Sequence, residues 1–338
     1  MSTLAIENST VFVKDAPTLP GLNFRGFRGD SDFPFMAGII MGCKDEDEIE
    51  RVETAEDIQR GYSHLVNCDP YKDMLFAQIG DRAIGYSRVT WANEGGEKMI
   101  YIHFGFLLPE WRRLRIGRAM LRYNQDRLRQ IAAGQENDLP CFFESGSADT
   151  ETAAEALLLS EGFSPVRHFY RMRRPDLENI PEAPMPEGLE VRPVEPEHYQ
   201  AICDAENEAF RDHWGFSDDF KMSVEELVDR PNFDPSLWKV AWDGDQVTGM
   251  VRSYIDGKEN TEYNRLRGWT EDISVRRPWR KRGLASSLIA QSLHTIKDRG
   301  MQEAALGVDT QNLSGALRLY ERMGYSPDKR FTNYRKEF

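Results

Sequence analysis

The chain of 338 residues predicts an α/β (α+β) fold repeated in tandem, and three observations carry that expectation. Strand-like alternation and helix-like periodicity succeed one another in the same order twice along the chain. Between the two copies, residues 172–188 hold Pro175, Pro181, Pro184 and Pro186 with no apolar period, as an extended linker does. The length also suffices for two ordinary cores. The expected division is therefore a lobe over 1–175, a linker over 176–188 and a second lobe over 189–338.

In the first copy, strand patterns at 75–79 and 83–91 flank Gly80-Asp81, a hairpin signal. A strand at 100–107 follows, then a basic turn, a helix, and a helix at 153–160 before Gly162-Phe163. The second copy begins with a strand at 189–194 and a helix at 199–210. Strands at 237–242 and 247–254 surround Asp243-Gly244-Asp245, again a hairpin signal. A strand at 270–275 enters a second basic turn and a helix at 286–299. A strand at 304–308, a helix at 314–322 and a strand at 331–336 complete it.

The second basic turn is the most specific feature. From Val275 the chain reads Arg-Arg-Pro-Trp-Arg-Lys-Arg-Gly-Leu-Ala before turning helical. Gly283 and Ala285 leave no bulk, so the N–H groups at the helix start, from Leu284 to Ser286, are open to an anion that the helix dipole favours. Arg280, Lys281 and Arg282 add cationic donors. Leu288, Ile289, Leu293 and Ile296 recur at three- to four-residue spacing and pin that helix by packing. The arrangement reads as a cradle for a pyrophosphate.

These residues resemble the acyl-CoA signature of the GNAT acetyltransferase superfamily: Gln or Arg, two free positions, Gly, one free position, then Gly or Ala. Here that is Arg280, Gly283 and Ala285. Further on, Asn312, a helix holding Tyr320 and the pair Gly324-Tyr325 are similar to the family's second half. The resemblance implies two tandem GNAT folds, each a mixed, mostly antiparallel sheet flanked by helices. It also implies acetyl-CoA as cosubstrate and N-acetyl transfer to an amine. The pantetheine arm would run along the backbone of Ile273, Ser274 and Val275, whose N–H groups offer an oxyanion donor. Asn312 would help to hold the cofactor. Tyr320 would protonate the departing thiolate.

The first copy keeps the scaffold and loses the chemistry. Its turn places Arg112 at the position of Arg280 and Gly117 at that of Ala285, yet Arg115 stands where Gly283 does. Leu158 fills the slot of Tyr320 and Thr150 that of Asn312. The first lobe is therefore expected to be catalytically silent and the second to be the enzyme.

For the base that deprotonates the amine, Glu271 and Asp272 enter the site on one strand, and alternation sends them to opposite faces. A regular strand favours Glu271; a bulge reverses the choice, and a water relay is a third route. Glu206 on the first helix of the second lobe and Asp212, Asp218, Asp219, His213 and Trp214 in the loop after it form an acidic and aromatic cluster. Acidic and aromatic groups together suit a cationic amine. A peptide N-terminus, a polyamine, an aminosugar and an aminoacyl conjugate all satisfy that description.

Composition narrows the alternatives. A net charge of -13 opposes nonspecific nucleic-acid binding, so the basic run 276–282 is not read as a nucleic-acid patch. No apolar run approaches the roughly 18 residues of a membrane helix, and the first eight residues lack a signal peptide's basic and apolar regions. A cytoplasmic protein is expected, with no membrane or nucleic-acid partner. The four cysteines are scattered, with no C-x-x-C pair, and the histidines show no H-E-x-x-H spacing, so no metal site is expected. A non-catalytic acyl-CoA sensor is the alternative to an enzyme; release of CoA thiol with an amine separates the two.

Overall fold

The computed structural model describes residues 10–338 apart from residue 313; the amino-terminal stretch read above for a signal lies outside the described residues. The chain forms two compact units, one comprising the residues up to Val166 with Thr332–Phe338, the other Arg167–Phe331. This division departs from the contiguous one expected at 175 and 189. The strand that ends each half of the sequence is built into the unit made by the other half.

The first unit runs through β1 (Leu22–Arg25), α1 (Phe33–Cys43), α2 (Ala55–Ser63), α3 (Pro70–Asp73), β2 (Met74–Ile79), β3 (Arg82–Glu94) and β4 (Lys98–Leu107). Then come α4 (Ile116–Ala133), β5 (Cys141–Ala148) and α5 (Thr152–Ser160). The first four strands pair antiparallel and β4 pairs parallel to β5. The carboxy-terminal residues close this sheet beside β5. The Arg335 guanidinium joins Glu94 and Glu144, Tyr334 donates its hydroxyl to Glu155 at 2.9 Å, and the Phe338 ring stacks on Phe143 at 4.3 Å.

In the second unit, β6 (Ser164–Arg174) supplies the edge from Arg167 onward. It is followed by β7 (Glu190–Arg192), α6 (Tyr199–Phe210), α7 (Val224–Val228), β8 (Lys239–Asp243), β9 (Gln246–Tyr254), α8 (Gly257–Glu262) and β10 (Arg267–Val275). The chain ends with α9 (Leu284–Asp298), β11 (Glu303–Asp309), α10 (Ala316–Arg322) and β12 (Ser326–Glu337). The strand order is β6-β11-β10-β9-β8-β7, with only β10 and β11 parallel. Ion pairs Arg167–Asp309 and Arg171–Asp328, both 2.5 Å, fasten β6 in place. Both units thus have the mixed, mostly antiparallel sheet that the sequence implied.

Of the predicted apolar stripe of α9, Leu288, Ile289, Leu293 and Ile296 are buried against the strands, each contributing about 1.5–3 kcal/mol; Leu284 is buried with them, whereas Ala285, expected in the stripe, is only partly buried. With its core face fixed, the start of α9 has a fixed position. On the other side, α6 buries Ile202, Cys203 and Ala205 against β8 and β9. This brings the α6 carboxyl end close to β10.

Two close approaches mark the same point in each repeat. A Cβ on Gly249 would stand 2.7 Å from the Ser274 carbonyl oxygen, and one on Gly85 would stand 2.8 Å from that of Phe106. Gly249→Val should push β9 from β10 and cost about 1–3 kcal/mol, read as a lower Tm with a larger loss of turnover. Gly85→Val should lower Tm by a similar amount while turnover per folded molecule is kept. Equal losses of turnover in the two variants would count against placing the chemistry at β10.

Candidate active site

At β10 the two repeats part. In the first unit the β3–β4 ladder is regular from Gly85↔Leu107 to Glu94↔Lys98. In the second, Glu271 pairs with Arg252 and the next pair is Ser274 with Met250, so Asp272 and Ile273 together oppose Val251. This is a β-bulge, and Asp272 takes a left-handed φ of 49° to make it. An aspartate tolerates that region better than most residues, and such outliers cluster at functional sites.

The bulge coincides with a wedge. Parallel pairing of β10 to β11 runs from Arg267↔Glu303 to Trp269↔Ala305 and stops. Beyond it, Glu271 Oε1 accepts the Gly307 N–H at 2.8 Å. Burial, with Asp272 nearby as the smaller cause, pushes the Glu271 carboxyl up to about 8. Tyr320 arrives on α10, its side chain buried and its ring edge-on to Tyr325 at 6.4 Å. Burial first and Glu271 second raise the Tyr320 phenol, so it keeps its proton. Tyr325 is hydrogen-bonded to Thr270 at 2.8 Å, whereas the Tyr320 hydroxyl has no such partner among the described residues. Asn312 Oδ1 accepts the Ser314 N–H at 2.7 Å, turning the chain toward α10.

The basic turn has the conformation an anion cradle requires. Gly283 is the N-cap of α9 at φ 87°, ψ -2°, no side chain caps the helix, and a Cβ there would meet nothing within 4 Å. The amides of Leu284, Ala285 and Ser286, the first turn of α9, have no acceptor one turn earlier. Lys281 and Arg282 are exposed. Arg280 differs from its expected role as a phosphate donor: its Nε donates to the Val275 carbonyl at 2.8 Å, its Nη1 pairs with Asp212 at 2.6 Å and its Nη2 reaches the Ala209 carbonyl at 3.1 Å. The guanidinium is spent on shaping the turn. Arg112 does the same in the first unit, on the Leu107 carbonyl and Asp47, so this arginine marks the scaffold rather than the ligand.

Beside Asp272 opens a cavity of about 340 Å³, lined by Glu206 and Asp272 together with Phe210, His213, Trp214, Phe216, Phe220 and Met222. Its size lies at the small end of ligand sites, which run from about 300 to 1,000 Å³. The buried Arg252 joins the two carboxylates, its Nη2 lying 2.7 Å from both Glu206 Oε1 and Asp272 Oδ2, and Arg230 reaches Asp272 at 3.0 Å. Burial pushes the Glu206 carboxyl up to about 7, with Arg252 opposing.

Of the acidic cluster read from the sequence, only Glu206 reaches the cavity, with His213 and Trp214. Asp212 is taken by Arg277 and Arg280, Asp218 by Lys221 and Asp219 by Ser217. Arg252 and Arg230 were not anticipated. The signal for Arg252 was available, since a lone arginine within the apolar run 247–254 must find a partner if buried.

The first unit keeps the turn and lacks the site. Arg113 and Arg115 take φ values of 62° and 68°, so the backbone that Lys281 and Gly283 form is reproduced with a side chain where Gly283 leaves space. Phe104, paired with Arg88, stands where Glu271 pairs with Arg252. Leu158 is buried in the slot of Tyr320. Among the described residues, no group of three or more His, Cys, Asp or Glu is placed to hold a metal, and no helix is long and apolar enough to cross a membrane.

A bulged strand beside a diverging neighbour, a left-handed glycine entering a helix and a buried tyrosine are what a GNAT acetyltransferase would present. The Acetyltransferase (GNAT) family matches the chain at residues 39–138 and 199–325, one stretch in each unit, and the chain belongs to that family. It is an acyltransferase with tandem architecture. Among its relatives, the mycothiol acetyltransferase of Catenulispora acidiphila is 29% identical over 232 residues, spanning 65% of this chain and 67% of that protein. The mycothiol acetyltransferase of Salinispora arenicola is 27% identical over 293 residues, 84% of this chain and 80% of its own. A GCN5-related N-acetyltransferase from Sphaerobacter thermophilus superposes with a TM-score of 0.70 at 25% identity, over 95% of this chain and 97% of that one. The tandem GNAT protein of the clavulanic acid biosynthesis pathway has a TM-score of 0.67 at 14% identity, over 94% and 98% of the two chains, a likeness of fold alone.

Proposed function

We propose that the protein transfers the acetyl group of acetyl-CoA to a primary amine of a small molecule or peptide, at the site in the unit Arg167–Phe331. The observation that carries this reading is the wedge where β10–β11 pairing stops, with Glu271 accepting the Gly307 N–H there and Tyr320 buried on α10; the raised Glu271 carboxyl and Tyr320 phenol accord with it. Acetyl-CoA supplies a thioester carbonyl and a thiolate leaving group. The amides of Leu284, Ala285 and Ser286, with Lys281 and Arg282, hold the pyrophosphate. Open space at Gly283 fits that role. The backbone of Ile273, Ser274 and Val275 meets the pantetheine arm and offers an N–H to the developing oxyanion. Asn312, its Oδ1 spent on Ser314, has its amide NH2 left for the cofactor.

Glu271 takes the amine proton, directly or through one water, and Tyr320 gives its proton to the sulfur. Asp272 satisfies the condition under which the choice of base was to reverse, because the bulge turns it toward the cavity. Two guanidinium groups occupy it, however, while Glu271 has no cationic partner among the described residues, so Glu271 keeps the role. A base is active when ionised. Activity at limiting acetyl-CoA should therefore rise with pH to a midpoint near 8, and Glu271→Gln should remove that limb and lower kcat by about 100-fold. An unchanged limb would transfer the role to another group.

The unit up to Val166 is silent in this reading, because Phe104 and Leu158 have no group that can take up or give a proton. A Tyr320→Phe, Gly283→Glu double variant should show no robust acetylation; substantial turnover there would make the first unit an enzyme. Four free cysteines favour the cytoplasm as compartment. The direct test is a screen of amines with acetyl-CoA, followed by mass analysis for a gain of one acetyl group.

A further inference from the structure

The cavity beside Asp272 distinguishes among the amines that the family's chemistry admits, and its polar groups are few. Asn207, which also lines it, is closed on the Met222 backbone, donating to the carbonyl at 2.9 Å and accepting from the N–H at 2.9 Å. Ser217 gives its hydroxyl to Asp219 at 3.0 Å. Burial holds the His213 imidazole below its ordinary range, and its ring lies edge-on to Phe210 at 4.4 Å. The remaining large walls are Trp214, Phe216, Phe220 and Met222.

One end is different. Glu206 and Asp272 share Arg252 Nη2, so the two carboxylates lie together. Glu206 is only 5% exposed, and while its Oε1 is held by Arg252, its Oε2 has no hydrogen-bond partner among the described residues. Glu206 lines the cavity, and a buried carboxylate oxygen without a partner on such a side chain is an acceptor that a donor bound there can satisfy. A primary ammonium supplies N–H donors and a charge of the matching sign, and the aromatic rings around it add cation–π attraction.

Resting on the acetyl-transfer reading above, we propose that the acceptor is a monocationic primary amine on an apolar arm, its nitrogen held by Glu206 and its arm between the rings of Trp214, Phe216 and Phe220. Aminosugars are disfavoured because their hydroxyls would lose water with few free polar groups to replace it. Diamines are disfavoured because a second ammonium would lie among rings with no carboxylate left to meet it, Asp272 being held by Arg230 and Arg252.

The test compares phenethylamine and hexylamine with glucosamine and putrescine by CoA release from acetyl-CoA. It also measures calorimetric binding of phenethylamine to the CoA-saturated full-length protein. The expected result is a kcat/KM for phenethylamine about 100-fold above those for glucosamine and putrescine. Glu206→Gln should raise its KM at least 10-fold with a much smaller change in kcat and an unaltered KM for acetyl-CoA. Phe216→Ala should lower the preference for phenethylamine over glucosamine at least fivefold, which keeps the test valid if the Glu206 variant does not fold. Preferred acetylation of glucosamine or putrescine, or a Phe216→Ala variant with unchanged preference, overturns the proposal and leaves amine acetylation standing. If no amine is acetylated, the transfer reading fails. The calorimetric arm then decides: a 10-fold loss of phenethylamine binding in Glu206→Gln supports the site, and equal binding removes it.

Discussion

Tyr320→Phe is expected to lower kcat by about 100-fold or more while leaving the affinity for acetyl-CoA nearly unchanged. The ring is buried against Tyr325 in the core around α9, and phenylalanine keeps that packing. Only the hydroxyl is lost, and in the proposed transfer its proton is the one given to the leaving sulfur. General acid catalysis contributes about 100- to 10,000-fold, and the loss should fall on kcat because the proton moves in the transition state. Raising the pH should not rescue the variant. A full-rate Tyr320→Phe enzyme, with Tm and acetyl-CoA binding intact, would reduce Tyr320 to a packing residue.

Gly283→Glu is expected to abolish acetyl-CoA binding, with at least a 100-fold loss of affinity by calorimetry. Two effects act together. A non-glycine residue at φ 87° costs roughly 1–2 kcal/mol, and the added carboxylate meets a phosphate at the positive end of a helix. The fold should survive, since a new Cβ meets nothing within 4 Å and Arg115 holds the equivalent left-handed conformation in the first unit. Gly283→Arg is the informative partner. It carries the strain without the repulsive charge, so it should bind more tightly than Gly283→Glu. Undiminished affinity in Gly283→Glu would remove the cradle from this turn.

The sequence by itself determined the elements whose cause is local. The helix at 199–210 lies where its period placed it, as α6, and the stripe from Leu288 to Ile296 is the buried face of α9. The glycine turn, the repeat and the losses at Arg115 and Leu158 were legible for the same reason: each is a residue type at a fixed spacing. Tertiary structure decided the rest. A bulge at Asp272 depends on which strand lies beside β10, so the assignment of Glu271 and Asp272 to faces was not available from alternation. Asp212 and Arg280, both expected to meet ligands, meet one another, because charged groups brought together by folding pair before any ligand arrives. Arg252 became the bridge between two carboxylates of the cavity through a contact with Glu206, 46 residues away in sequence. The exchange of the strands β6 and β12 between the units was invisible for a further reason. A strand's own residues specify its faces, through a period of two, but a backbone edge accepts any strand of suitable shape, and the choice of neighbour is made only when the remaining side chains, such as Arg335 and Phe338, find their partners.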